Sequence, residues 1–175
     1  MRTWRDSESL FRNAVTVTKG NYFAYYNLGS ALDTLGRTDE ALTNYLKAAE
    51  LQPYYPDPLN NIGCILASRG QFAAAIPYFE RAVRSRPEWP NTHDNLAHSL
   101  CELGRFSEAI PHFEVVLKAH PKDAVARDSL ASAHFNLAKT LAAQGHRGEA
   151  VDHFKEALRL KPDFIQARRA MEGLN

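Results

Sequence analysis

Between Tyr22 and Pro53 the apolar residues fall into two stripes with a break between them. Leu28, Leu32 and Leu35 lie at i, i+4 and i+7, the spacing that puts side chains on one face of a helix. Gly36 follows, and glycine takes the left-handed conformation that closes a helix without steric cost. Ala41, Tyr45 and Ala48 begin a second stripe at helical spacing, which Pro53 brings to an end. The pattern predicts a helical hairpin. Neither helix can bury its stripe without the other.

The unit recurs. Pro53, Pro87 and Pro121 are spaced 34 residues apart. Gly36, Gly70 and Gly104 keep the same step, as do Ala41, Ala75 and Ala109, and the aromatic series Tyr45, Phe79 and Phe113. A helix–turn–helix period of this length with these residues resembles the tetratricopeptide repeat, over nearly the whole chain. The resemblance implies an all-α fold, a right-handed α-solenoid of stacked hairpins. For function it implies a binding scaffold without naming the partner. On this reading residues 22–55, 56–89 and 90–123 are the first three repeats. Asp57 and Asn91 are expected as N-caps beside their prolines. Pro77 and Pro111 are expected in the first turn of second helices, where most N–H groups have no helical partner.

The fourth repeat, residues 124–164, breaks the step. Pro162 follows Pro121 by 41 residues, and Gly145, Ala150, Phe154 and Ala157 keep phase with Pro162. Seven extra residues therefore precede Gly145, and one long helix is expected from Ala124 to Gln144. At ~1.5 Å per residue it would span about 32 Å, against about 21 Å for its counterparts. Seven residues make two turns with only about 20° of drift, so the apolar face persists. Leu130 matches Leu28 in one register and Leu137 matches it in the other. The addition is either a tolerated insertion or a protruding helix with a contact of its own. Residues 165–175 read as a capping helix, with Ala167, Met171 and Leu174 continuing the side begun by Phe164 and with Arg168, Arg169 and Glu172 outward.

Residues 1–21 read as a second helix without its first, because Phe11 and Ala14 precede Tyr45 and Ala48 by one period. The chain then begins inside a repeat, either as a fragment of a longer protein or with this helix as an N-terminal cap. Partial cover of Trp4, Leu10 and Phe11 favours the fragment. The same three residues would invite self-association, a homodimer included. Trp4, Ser7, Leu10 and Phe11, followed by Tyr25-Tyr26-Asn27-Leu28-Gly29, are also similar to the entry into the repeats of multi-span membrane proteins of the O-mannosyltransferase-like class. That resemblance implies a soluble, substrate-presenting tail, with the glycosyl chemistry in a membrane part.

Composition narrows the function. Twenty-one basic and 20 acidic residues give a formal net charge of +1, and nothing in that balance points to nucleic acid or an anionic membrane. No apolar run approaches the ~18 residues of a membrane span. Met1-Arg2-Thr3-Trp4 lacks the apolar core of a signal peptide, and the compartment stays open. Cys64 and Cys101 hold non-equivalent positions in successive hairpins and are expected as free thiols. The seven histidines include no pair at i, i+4, so no metal site is expected. No nucleophile elbow, phosphate loop or paired-carboxylate context is present. Neither enzymatic activity nor a cofactor is expected.

One series is left. Asn27, Asn61 and Asn95 share a position in repeats one to three, and Asn136 joins them when repeat four is counted back from Pro162. By the resemblance this position lines a concave groove. It is also where the repeats of O-linked N-acetylglucosamine transferase carry an asparagine ladder. An amide side chain, with two donors and an acceptor, suits a peptide backbone. Helices ~8–10 Å apart and an extended chain advancing ~3.3 Å per residue would bring an Asn to about every third peptide unit. At ~0.5–1.5 kcal/mol for each net hydrogen bond, four contacts imply weak, sequence-tolerant binding unless side-chain pockets help. Family alignment adds Tyr26, Asn60, Asp94, His98 and Lys139 to the groove. Asp33, Asp57, Asp94 and Glu102 make its middle mildly acidic, which favours neutral or basic segments. Tyr26, Ser30, Asn91 and Asn95 stand where chaperone-binding members carry most of their carboxylate clamp, and that departure argues against a chaperone-tail receptor. The expected function is protein–protein interaction, with an extended peptide or a helix in the groove. The plainer reading, Asn as a packing residue, stays open.

Overall fold

The computed structural model describes residues 3–18 and 20–174. The chain divides between Pro87 and Glu88 into two compact units. The first holds α1 (Thr3–Val17), α2 (Tyr22–Thr34), α3 (Thr38–Leu51), α4 (Pro56–Ser68) and α5 (Phe72–Ser85). The second holds α6 (Pro90–Glu102), α7 (Phe106–Ala119), α8 (Ala124–Ala143), α9 (Arg147–Leu160) and α10 (Ile165–Glu172). Among the described residues all regular structure is helical. The hairpins are α2–α3, α4–α5, α6–α7 and α8–α9. Within each unit they stack through α3–α4 and α7–α8, with α1 against α2 and α10 against α9.

The first helices of the four hairpins end alike. Gly36 has φ +75, its N–H donates to the Asp33 carbonyl at 2.9 Å, and the Arg37 N–H reaches back to Leu32 at 2.9 Å. The same pair of bonds recurs at Gly70, Gly104 and Gly145. This is the Schellman arrangement, and its positive φ is why glycine repeats there.

Helix starts depart from expectation. Asp57 and Asn91 are not N-caps. α4 and α6 begin at Pro56 and Pro90, behind the N-caps Tyr55 and Trp89, which make no side-chain capping bond. Proline at the first helical position wastes no N–H, and it holds the preceding residue extended. Asp57 is paired with Arg86 at 3.3 Å instead. Among the first helices of the hairpins, α2 and α8, which do not start at proline, carry side-chain caps. Asn21 accepts from the Ala24 N–H at 3.0 Å, and Asp123 accepts from those of Val125 and Ala126 at 2.9 and 3.1 Å. Pro77 and Pro111 are also displaced from their expected turn. The tight Gly turn starts α5 at Phe72 and α7 at Phe106, so each proline is the sixth helical residue. Each deletes an interior backbone bond, yet the helices continue to Ser85 and Ala119.

Large and small residues interlock across the hairpins. Tyr45, Phe79, Phe113 and Phe154 are each at most 1% exposed. A Cβ on Gly29 would lie 2.8 Å from the Tyr45 ring, and one on Gly63 would lie 2.5 Å from that of Phe79. Ala97 and Ala138, fully buried, hold the equivalent positions in the later hairpins.

α8 has 20 residues against 13 in each of α2, α4 and α6. Ala126, Leu130 and Ala131 are buried in the 34-residue register, and Ala133, His134 and Ala138 in the 41-residue one. Two added turns thus leave one continuous buried stripe. Leu130 is the buried leucine that continues Leu28, Ile62 and Leu96, whereas Leu137, matched to that series in the other register, is only half-buried. On α1, Phe11 and Val15 pack against the core of the first unit, while Leu10 is 63% exposed. Phe11 is thus partly covered by the core of its own unit, while Leu10 is left exposed. The Trp4 side chain lies outside the described residues.

Candidate functional site

In the first unit most of the expected groove residues are already engaged. The Asn27 amide donates to its own helix, at the Phe23 carbonyl, over 2.7 Å. Asn60 is buried, with its Nδ2 turned towards Asn61 Oδ1 at 3.4 Å and Cys64 Sγ at 3.7 Å. Tyr26 is wedged between the Tyr45 and Tyr55 rings, at 6.0 and 5.2 Å. Asn61 is half-buried beside a hollow of about 250 Å³ that Asp33 and Cys64 also line. The Tyr45 hydroxyl shares hydrogen bonds with Asn61 and Ser30, and burial pushes its pKa up to about 12. Burial also raises the Cys64 thiol, with Asp33 adding to the effect, so it is a poor nucleophile.

Asn61 therefore ties α4 to α3. Replacing it by Ala is expected to cost about 1 kcal/mol in urea unfolding, because the buried Tyr45 hydroxyl loses a partner. Asn136 is half-buried, and the aromatic residue one hairpin before it in the series is Phe113, which has no hydroxyl to bond; Asn136→Ala is expected to change stability by less than about 0.5 kcal/mol.

In the second unit a hollow of about 390 Å³ lies between α6 and α8. His98 and Cys101 enter it from α6, and Ser129, Ser132 and Asn136 from α8. Phe106 and Phe113 of α7 form an apolar floor. Val125, Asp128, Ala133 and Lys161 complete the lining, and the Lys161 Nζ donates to Asp128 at 2.7 Å. His98 Nε2 lies 3.6 Å from the Asp94 carboxylate, and its ring meets Phe113 edge-on at 5.1 Å. Burial pushes the Asp94 carboxyl up, with His98 opposing and Asp123 adding. Burial likewise pushes the Cys101 thiol up to about 11. Both cysteines are free thiols.

The structure thus brings His98 and Asn136 together, with Asp94 beside them. Asn95 is half-buried and outside this lining, and its carbonyl accepts from Ser99 Oγ at 2.8 Å. Lys139 is exposed, with its Nζ 5.5 Å from the centre of the Phe135 ring. Ser129 and Asn136 both line the hollow because they sit two turns apart on one face of α8. Ser132 and the Asp128–Lys161 pair were missed. The spacing of Ser129, Ser132 and Asn136 at i, i+3 and i+7 was the signal that could have found the serine.

A second arrangement also escaped the sequence. His93 and His112 meet Nδ1 to Nδ1 at 2.8 Å, and His134 and His153 do so at 2.9 Å. A search for i, i+4 pairs reads one helix at a time, whereas a hairpin brings together residues 19 apart. No group of three potential ligands that could hold a metal is found among the described residues.

The hairpins and their interlocked core define an α-helical repeat protein whose first helices present polar side chains on one face. The chain belongs to the tetratricopeptide repeat family, whose sequence profile matches residues 22–88 and 90–163. The family fold serves in general as a protein-interaction scaffold. The structure is similar to YrrB, described as "a TPR protein with an unusual peptide-binding site", at 21% identity and TM-score 0.70, covering 97% of this chain and 84% of that one. It is also similar to MamA, at 19% identity and TM-score 0.68, covering 93% and 91%. A MamA from Desulfovibrio magneticus RS-1 is 22% identical with TM-score 0.60, covering 90% and 85%. At these identities the likeness concerns the fold. Comparison with curated proteins gives no significant match. The likeness of the first residues to a membrane glycosyltransferase junction gains no support from these relatives. No helix among the described residues is long and apolar enough to cross a membrane.

Proposed function

We propose that the chain is a protein-interaction scaffold that holds an extended peptide across α6 and α8, with an apolar side chain entering the hollow over Phe106 and Phe113. The observation that carries this reading is the hollow itself. Its volume of about 390 Å³ falls in the ~300–1,000 Å³ range of ligand sites. Asn136, Ser129, Ser132 and His98 surround an apolar floor with polar groups suited to peptide amides. At the rim Asp128 is paired with Lys161, and Asp94 lies beside His98. The site therefore favours a neutral segment with one apolar anchor over a strongly charged one. Weak affinity follows from the few bonds available, at ~0.5–1.5 kcal/mol each.

Ser132 is exposed on α8, so a bulky residue there fills the hollow without entering the core. Peptides selected from a random library on the native chain should bind Ser132→Trp at least about tenfold more weakly, a difference of ~1.4 kcal/mol. The melting temperature should be unchanged. Equal affinity on both proteins would place the binding surface elsewhere.

A further inference from the structure

We propose that the His134–His153 contact is an acid-sensitive latch, fastening α8 to α9 at neutral pH and releasing as the solution is acidified. The two Nδ1 atoms are 2.9 Å apart. One ring must present an N–H there and the other a lone pair. A single extra proton can be held on such a pair. A second would set two N–H groups and two like charges face to face. His134 is only 7% exposed and His153 is half-buried, so water relieves that repulsion only in part.

The surroundings do not supply the missing compensation. From α9, Glu156 and Arg159 face His134, but they are paired with one another at 2.7 Å. Glu114 of α7 and Arg127 of α8 line the same hollow, of about 480 Å³, one of each sign. α10, packed on α9, adds no charged group to it. Burial foremost, then His153, hold His134 down to about 4, with Glu156 opposing and Arg159 adding. An unfolded histidine titrates near 6.5. The folded form thus refuses a proton that the unfolded form accepts. The latch contributes fully above about pH 6.5, and its contribution is lost as the pH falls towards 4.

The consequence reaches the other face of the same helix. α8 also presents Ser132 and Asn136 to the peptide hollow, so release from α9 unseats one wall of it. The latch itself needs no peptide, and its test uses none. Urea unfolding of the full chain is followed at pH 7.5 and pH 5.0, for the native protein and for H134Q/H153Q, whose amides can pair but not titrate. Between those pH values the unfolding constant of the native protein should rise on the order of 30-fold more than that of the variant. Equal pH dependence of the two would overturn the proposal. Nitrogen NMR of the native imidazoles decides the matter without any variant. His134 should remain neutral at pH 5.5, and ordinary titration near 6.5 would overturn the latch.

Discussion

Replacing Phe154 by Ala lowers the stability of the chain by about 3–5 kcal/mol in urea unfolding. The ring is 1% exposed and is packed among Ala138, Ala150, Ala157 and Ala167. Phe135 meets it at 5.8 Å. Four of these neighbours are alanines, whose methyl groups are fixed to helix backbones and cannot reach into the space the ring leaves. The cavity therefore persists, and a persistent cavity adds to the lost transfer energy. The result also tests the register of the fourth hairpin. Phe154 belongs to the aromatic series only when the step is counted as 41 residues. A loss below about 1 kcal/mol would mean that this ring is not the counterpart of Phe113.

Gly63→Ala should destabilise by about 1–3 kcal/mol, although alanine is the better helix former by up to ~1 kcal/mol. The new methyl would lie 2.5 Å from the Phe79 ring, inside van der Waals contact. Phe79 is fully buried and cannot swing aside, so α4 and α5 must move apart. Gly148 in α9 provides the control, since a Cβ there meets nothing within 4 Å. Gly148→Ala should follow propensity alone and stabilise the chain by a few tenths to ~1 kcal/mol. Opposite signs at the two glycines would separate close helix approach from intrinsic preference. The same sign at both would show that the α4–α5 contact is looser than described.

Much of the fold can be read by counting. Gly36 and its successors fall at the ends of first helices because only glycine takes the positive φ there without strain. The aromatic series is buried because each ring has a small residue opposite. Chain counting fails where a neighbour's identity changes the outcome. Asp57 is a good capping residue, but Pro56 has already fixed the helix start one residue earlier. Leu137 fits the leucine series by number, yet two added turns let Leu130 reach the buried place first. Asn61 looks like Asn27 and Asn136, but it alone has the hydroxyl of Tyr45 as partner, because the later aromatic residues are Phe.

The candidate site is legible in part for the same reason. Repeat positions point to His98 and Asn136 as groove residues, and both line one hollow within one unit. Asn60 sits next to a groove position in sequence, but a helix turns by about 100° per residue and carries it into the interior. The histidine pairs depend on how the two helices of a hairpin align, which periodicity along one helix does not reveal. Their 41-residue recurrence, His93 to His134 and His112 to His153, was the trace they left in the sequence.

The most direct measurement is a crystal structure of the chain with its tightest selected peptide. The peptide should run extended over α6 and α8, with a backbone amide at Asn136 and an apolar side chain above Phe106 and Phe113. A peptide seated on α7 or α9, with the hollow between His98 and Asn136 left open, would contradict the account.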